Sequence, residues 1–152
     1  MPKQHSIVAT ARSTGSRHEV FRLLADSSTW SQWTPFTDVT LIEQAPGGGE
    51  GMGAVKQTRF RGMTGRERIV SLTPDRQLSY AYIKGVLGPY IRDYVAVVDL
   101  DDAGGDGGTS IRWHSTFYAR FPGSGWLPRR SLEAFIQKCA DGLASAAAPL
   151  SR

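Results

Sequence analysis

The 152-residue chain has one cysteine, Cys139, three histidines, and no apolar run near the roughly 20 residues that cross a bilayer. A lone cysteine closes no internal disulfide and offers no metal-ligand spacing, so both kinds of staple are excluded. It fits a reducing compartment. The opening "MPKQHS" leads into alternating residues and not into an unbroken apolar segment, which argues against a secretory signal. The expectation is a cytoplasmic protein without a transmembrane segment. Catalytic constellations are as scarce: His5 and His18 have no carboxylate at motif spacing, and no serine, histidine and acid set, metal cluster or carboxylate pair points into one site. No metal, no cofactor and no committed catalytic residue are expected. The glycine-rich "GGGEGMGAV" opens no helix and lacks a lysine-serine or lysine-threonine pair, which excludes a phosphate cradle. The net charge is +4, but the basic residues are dispersed, with only "RFRG", "GRER" and "PRR" as tight groups. They read as solvated faces and not as a nucleic-acid footprint.

What is present is an ordinary globular composition, 40% hydrophobic and 21% charged, at a length that fits one domain over 1–152 with a core of its own. Ser16 and Glu19 in "SRHE" form a capping box, so a helix starts near Ser16 with Val20, Phe21, Leu23 and Leu24 on its apolar face. "ADSS" breaks it, and a second short helical turn carries Trp30 and Trp33 before Pro35. "HSIVATARS" precedes these helices, and "DVTLIEQA", "AVKQTRF", "RERIVSL", "LSYAYIKG", "YIRDYVAVVDL" and "TSIRWHSTFYARF" follow, each closed by glycine, proline or aspartate turns. That predicts seven strands in one antiparallel sheet in meander order. "LPRRSLEAFIQKCADGLASAAAP" predicts a long helix over about 127–148. Pro128 lies in its first turn, Pro149 ends it, and Leu132, Phe135, Ile136, Cys139, Leu143 and Ala146 make an apolar stripe. The predicted class is α+β, a seven-stranded curved antiparallel sheet gripping the C-terminal helix, with two short helices between strands 1 and 2.

This order, with "VFRLLADSSTWSQWTP", "GMGAVKQTRF", "RERIVSLTPDRQLSY" and "GGTSIRWHSTF", resembles the START-like, Bet v 1-type helix-grip superfamily (SRPBCC), and within it the polyketide cyclase/dehydrase branch. The resemblance runs from about residue 5 to 147 and rests on element order and diffuse signatures, not on a sharp catalytic motif. It implies a cavity between sheet and C-terminal helix, in a family that includes lipid carriers, hormone receptors and ring-closing enzymes.

Strand alternation then sorts residues toward or away from that helix. In the last strand Ile111, Trp113, Ser115, Phe117 and Phe121 share the inner face, with Arg112, His114, Tyr118 and Arg120 outside. In "YIRDYVAVVDL" two aspartates mark one face as wet, which places Tyr90, Arg92, Tyr94, Ala96, Val98 and Leu100 inside. Leu78, Tyr80 and Tyr82 point inward from the neighbouring strand. The expected ligand-binding set is Trp33, Tyr80, Tyr82, Tyr90, Arg92, Tyr94, Trp113, Ser115, Phe117, Phe135, Ile136 and Cys139. Arg92 is either an anchor for a ligand oxygen or an arginine that escapes at a strand end. The tyrosines either offer hydroxyls to a ligand or pack with a polar tip. Trp30 and Trp33 either wall one end of the cavity or are plain core. Cys139 reads as a small buried hydrophobe. Glu67 is the one acid on a central strand with a possible inward aim, but the two faces of its strand are too alike to separate. Arg129 and Arg130 lie against the dipole of the last helix, either as a gate for an acidic ligand or surface or as solvated charge.

Three functions are compatible with this reading. The first is a binding protein for a hydrophobic, lipid-like or aromatic small molecule, monomeric or weakly dimeric. The second is a polyketide aromatase/cyclase or dehydratase in which Arg92 and Tyr94 polarise a carbonyl and shuttle protons. The third is a protein- or membrane-interaction module using the basic end near Arg129.

Overall fold

Ser16 opens the first helix as a capping residue should, accepting a hydrogen bond from the Glu19 backbone N–H at 3.2 Å in the computed structural model, which describes residues 3–85, 87–104 and 107–149. That helix, α1, spans Arg17–Ala25 and buries Val20, Phe21, Leu23 and Leu24. A 3-10 turn at Ser27–Thr29 leads into the one-turn α2, Trp30–Trp33, with both tryptophans buried.

The strands are β1 (Gln4–Ser13), β2 (Asp38–Glu43), β3 (Val55–Phe60), β4 (Met63–Thr73), β5 (Gln77–Gly85), β6 (Ile91–Asp102) and β7 (Thr109–Ala119). They form one antiparallel sheet in the order β1-β7-β6-β5-β4-β3-β2. The meander holds from β2 to β7, and β1 closes onto β7, so α1 and α2 carry the chain from one sheet edge to the other. β4 starts three residues before the predicted strand because Arg61 and Gly62 both take positive φ, closing a tight hairpin in which Phe60 pairs with Met63.

The last helix, α3, spans Trp126–Ala147 and turns Ile136, Cys139, Ala140, Leu143, Ala144 and Ala147 inward. Its stripe therefore ends on Ala147, and Ala146, expected inside, is exposed. Gly142 lets α3 touch the preceding helix: a Cβ there would lie 1.8 Å from the Trp33 carbonyl oxygen. At the same end of α3, Ser13 Oγ donates to Ala144 O at 2.7 Å and Thr109 Oγ1 to Gly15 O at 2.8 Å. The helix is thus held across the concave face of the sheet.

Alternation fails at one place that matters for function. Between Arg92 and Val95 β6 advances three residues while β7 advances two, from Tyr118 to Thr116. The extra residue makes a β-bulge, with Asp93 at φ +55°, a conformation that aspartate tolerates better than most side chains. Tyr94, Ala96, Val98 and Leu100 face the core as predicted, but Arg92 is turned outward. Its Nη1 lies 2.6 Å from Asp93 Oδ2 and its guanidinium stacks 4.6 Å from the centre of the Tyr118 ring. Tyr90 precedes the strand and is 56% exposed. Phe121, expected inside with the last strand, lies beyond its end and is exposed.

Candidate functional site

Between the sheet and α3 lies a cavity of about 350 Å³. Its inner wall is aromatic. Trp30 stands edge-on to Trp113 at 5.9 Å and to Tyr80 at 6.3 Å, and its Nε1 donates to Leu24 O at 2.9 Å. Trp113 Nε1 donates to the Tyr80 hydroxyl at 3.3 Å. These indole N–H groups find partners inside the protein, so the rings present apolar surface to the cavity. Exposed Met63, Thr64 and Ser131 also line it, and so mark its mouth between the β3–β4 hairpin and the first turns of α3. Phe135 packs there against Phe36 and Phe60, at 5.0 and 5.5 Å.

Of the residues expected to line it, Tyr80, Tyr82, Tyr94, Trp113, Phe135, Ile136 and Cys139 do so. Trp33, Ser115 and Phe117 are buried behind the wall: the Trp33 ring lies tilted against Trp30 at 5.0 Å, and of the two tryptophans Trp30 is the one that reaches the cavity. Arg92 and Tyr90 are not brought to it. His114 lies on the outer face as expected, its Nε2 2.8 Å from Asp99 Oδ2. Arg129 is exposed, donates to Ser6 O at 3.2 Å and sits 3.8 Å from Glu133.

Two charged side chains enter the interior instead. Glu67 is 6% exposed and lines the cavity, and its Oε2 has no hydrogen-bond partner. Lys56, directly opposite in the β3–β4 ladder, is 3% exposed. Its ammonium lies 3.4 Å from the centre of the Trp30 ring and 5.4 Å from that of Tyr80, so its charge rests on π faces. Lys56 and Glu67 face each other without closing into an ion pair. Burial pulls the Lys56 pKa down to about 8, against the upward pull of the Glu67 and Glu50 carboxylates. Burial raises the Glu67 pKa, opposed by Lys56. Lys56 therefore remains a cation at neutral pH.

Lys56 has no counterpart among the sequence-based candidates. A signal exists in "VKQTRF", where Lys56, Thr58 and Phe60 alternate against Val55, Gln57 and Arg59, but a lysine in such a pattern reads by default as the wet face. Burial also raises the hydroxyl pKa values of Tyr80 and Tyr94, which stay neutral at physiological pH. Ser115 Oγ, beside the Tyr94 hydroxyl but outside hydrogen-bonding geometry, is the other buried polar atom without a partner among the described residues.

Residues 4–148 match the family model described as polyketide cyclase/dehydrase and lipid transport. The chain belongs to that family. No curated protein matches it in sequence. Solved structures show the same START-like, Bet v 1-type architecture. The chain is similar to a major latex-like protein of Panax ginseng, with TM-score 0.77 and 13% identity over 96% of this chain and 99% of that one. It is similar to a START superfamily protein of Mycobacterium smegmatis, with TM-score 0.75 and 12% identity over 94% and 97%. Ara h 8.0201 gives TM-score 0.74 and 15% identity over 95% and 98%. At these identities the likeness is one of fold. Among the described residues no helix is long and apolar enough to cross a membrane, and no cluster of three or more potential metal ligands occurs.

Proposed function

We propose that this family member binds a hydrophobic small molecule, lipid-like or aromatic, in the cavity between sheet and α3. The observation that carries this is the cavity itself: about 350 Å³ of space walled by Trp30, Tyr80, Trp113, Phe135 and Ile136, in a chain long enough to have filled it. Interiors pack to crystal-like density, so a void of this size lined by large aromatic side chains is retained for an occupant. The absence of a disulfide-forming cysteine pair supports a cytoplasmic setting. Arg92 does not serve a cyclase reaction in this cavity, since its side chain lies outside the lining and pairs with Asp93.

The test is titration with N-phenyl-1-naphthylamine, a neutral apolar fluorophore, in wild type and in Ser131→Trp, which places an indole at the cavity mouth. Saturable one-to-one enhancement, weakened about tenfold or more by Ser131→Trp, is expected. Absence of saturable binding to the wild type would refute the reading.

A further inference from the structure

Resting on the cavity reading above, we infer that Glu67, backed by Lys56, is a recognition site for a hydroxyl donor on an uncharged, otherwise apolar ligand: an alcohol, a phenol or an enol. A carboxylate oxygen that is buried, lines a cavity and has no partner is an acceptor awaiting a donor. Leaving it unmade costs more than the bond itself returns, so proteins keep such groups where a ligand supplies the missing contact.

The surroundings narrow the chemistry. Lys56 does not occupy the acceptor, because its ammonium is seated over Trp30 and near Tyr80. It also does not line the cavity, so what a ligand meets is the oxygen of Glu67 and not the nitrogen of Lys56. An anionic ligand would meet the oxygens of Glu67 and not the ammonium of Lys56, which is seated on Trp30. A cationic ligand would meet the field of Lys56, the cross-strand neighbour of Glu67. A neutral O–H donor suffers neither repulsion and completes the carboxylate. The other polar groups near the floor are weaker candidates for this role. Tyr80 already accepts from Trp113, and Ser115 lies behind the wall.

The pair is also placed to read position as well as chemistry. Glu67 lies opposite Tyr82 in β5 and Lys56 in β3, in the middle of the sheet, with the mouth at the hairpin that joins β3 to β4. A ligand entering past Met63 and Phe135 can put its apolar body against the aromatic wall and its hydroxyl on Glu67.

Three probes of one ring system separate this inference from the cavity reading: naphthalene, 2-naphthol and 2-naphthoate, titrated calorimetrically at neutral pH. Naphthalene binding alone tests the cavity. Wild type is expected to prefer 2-naphthol over naphthalene by about 10–100-fold, the range set by satisfying a buried acceptor otherwise left without a partner, and to bind 2-naphthoate no better than naphthalene. Glu67→Leu should reduce the naphthol preference, read as the ratio of the two affinities in the same variant, to within about threefold. Lys56→Met/Glu67→Leu, which leaves no unpaired buried charge, should do the same and keeps the test valid if the single variant folds poorly. Equal binding of naphthalene and naphthol by wild type would overturn the site and leave the cavity reading standing, with water then satisfying Glu67. A naphthol preference that survives in both variants would also overturn it. Failure of naphthalene to bind at all would overturn both readings.

Discussion

Replacing the buried pair by neutral side chains of similar shape, Lys56→Met/Glu67→Gln, should make the protein more stable. Lys56 drops from an ordinary pKa of 10.5 to about 8 on folding, which corresponds to about 3 kcal/mol against the charged form at neutral pH. Its 3% exposure leaves little solvent to screen that cost. Glu67 adds a penalty of the same sign, since burial raises its pKa too. Methionine returns the packing of the lysine stem but loses the contact of the ammonium with Trp30, about 1–2 kcal/mol when desolvated. The net expectation is a gain of about 1–3 kcal/mol, in line with the cost of keeping buried charges desolvated. Urea denaturation at pH 7 measures it, with an unchanged m-value, and thermal melting should rise by about 2–4 °C for each kcal/mol. The pH dependence gives a second check. A lysine with a lowered folded pKa is most costly below about 8 and ceases to be so above 10.5. The gap between variant and wild type should therefore shrink as pH rises through that window. A variant less stable than wild type by 1 kcal/mol or more would refute the reasoning and make the pair a structural element.

Arg92→Ala should leave the affinity for N-phenyl-1-naphthylamine within about twofold of wild type, because Arg92 is on the outer face; a tenfold loss by the same titration would put it back in the site. Gly142→Ala gains up to about 1 kcal/mol in helix propensity but forces a methyl group toward the Trp33 carbonyl, so urea denaturation should show a net loss of about 2 kcal/mol; a stabilised protein would show that α2 and α3 are not in contact. Cys139 is buried and its thiol pKa is pushed up by that burial, so a disulfide reagent at pH 8 should label it at least about tenfold more slowly in the native protein than after unfolding, and equal rates in the two states would contradict its burial.

Most of the architecture was legible because each element carried its own local signal. Ser16 and Glu19 marked a helix start that the hydrogen bond between them confirms. Spacings of three and four along α3 picked out Ile136, Cys139 and Leu143, all buried. Alternation placed Ile111, Trp113, Ser115 and Phe117 on one face of β7, and they are there. It misplaced Arg92 because alternation assumes an unbroken ladder, and a bulge inserts a residue without altering composition. Only Asp93, at a positive φ that few other residues accept, hints at the break. The register of β1 on β7 joins residues from opposite ends of the chain, Gln4 with Tyr118 and Ser13 with Thr109, and no local pattern announces it.

The Lys56–Glu67 site was hidden for a deeper reason. Reading a strand by its polar face takes charge as a marker of water, a rule that works because burying a charge is normally too costly to persist. A functional pair is where that rule reverses: the cost is borne because the acceptor it exposes to the cavity is useful. Glu67 illustrates the limit, since both faces of "RERIVSL" carry a charge and an apolar residue, and only the Ile69 side, with Glu67 beside it, turns inward. The same reversal explains why stability and ligand preference should move in opposite directions here. Lys56→Met/Glu67→Leu removes the buried charges that burden the fold and, with them, the oxygen that distinguishes a hydroxylated ligand from its hydrocarbon core. A variant that gained stability and kept that discrimination would separate the two, and Glu67 would then be a passenger of the sheet and not the reader of the ligand.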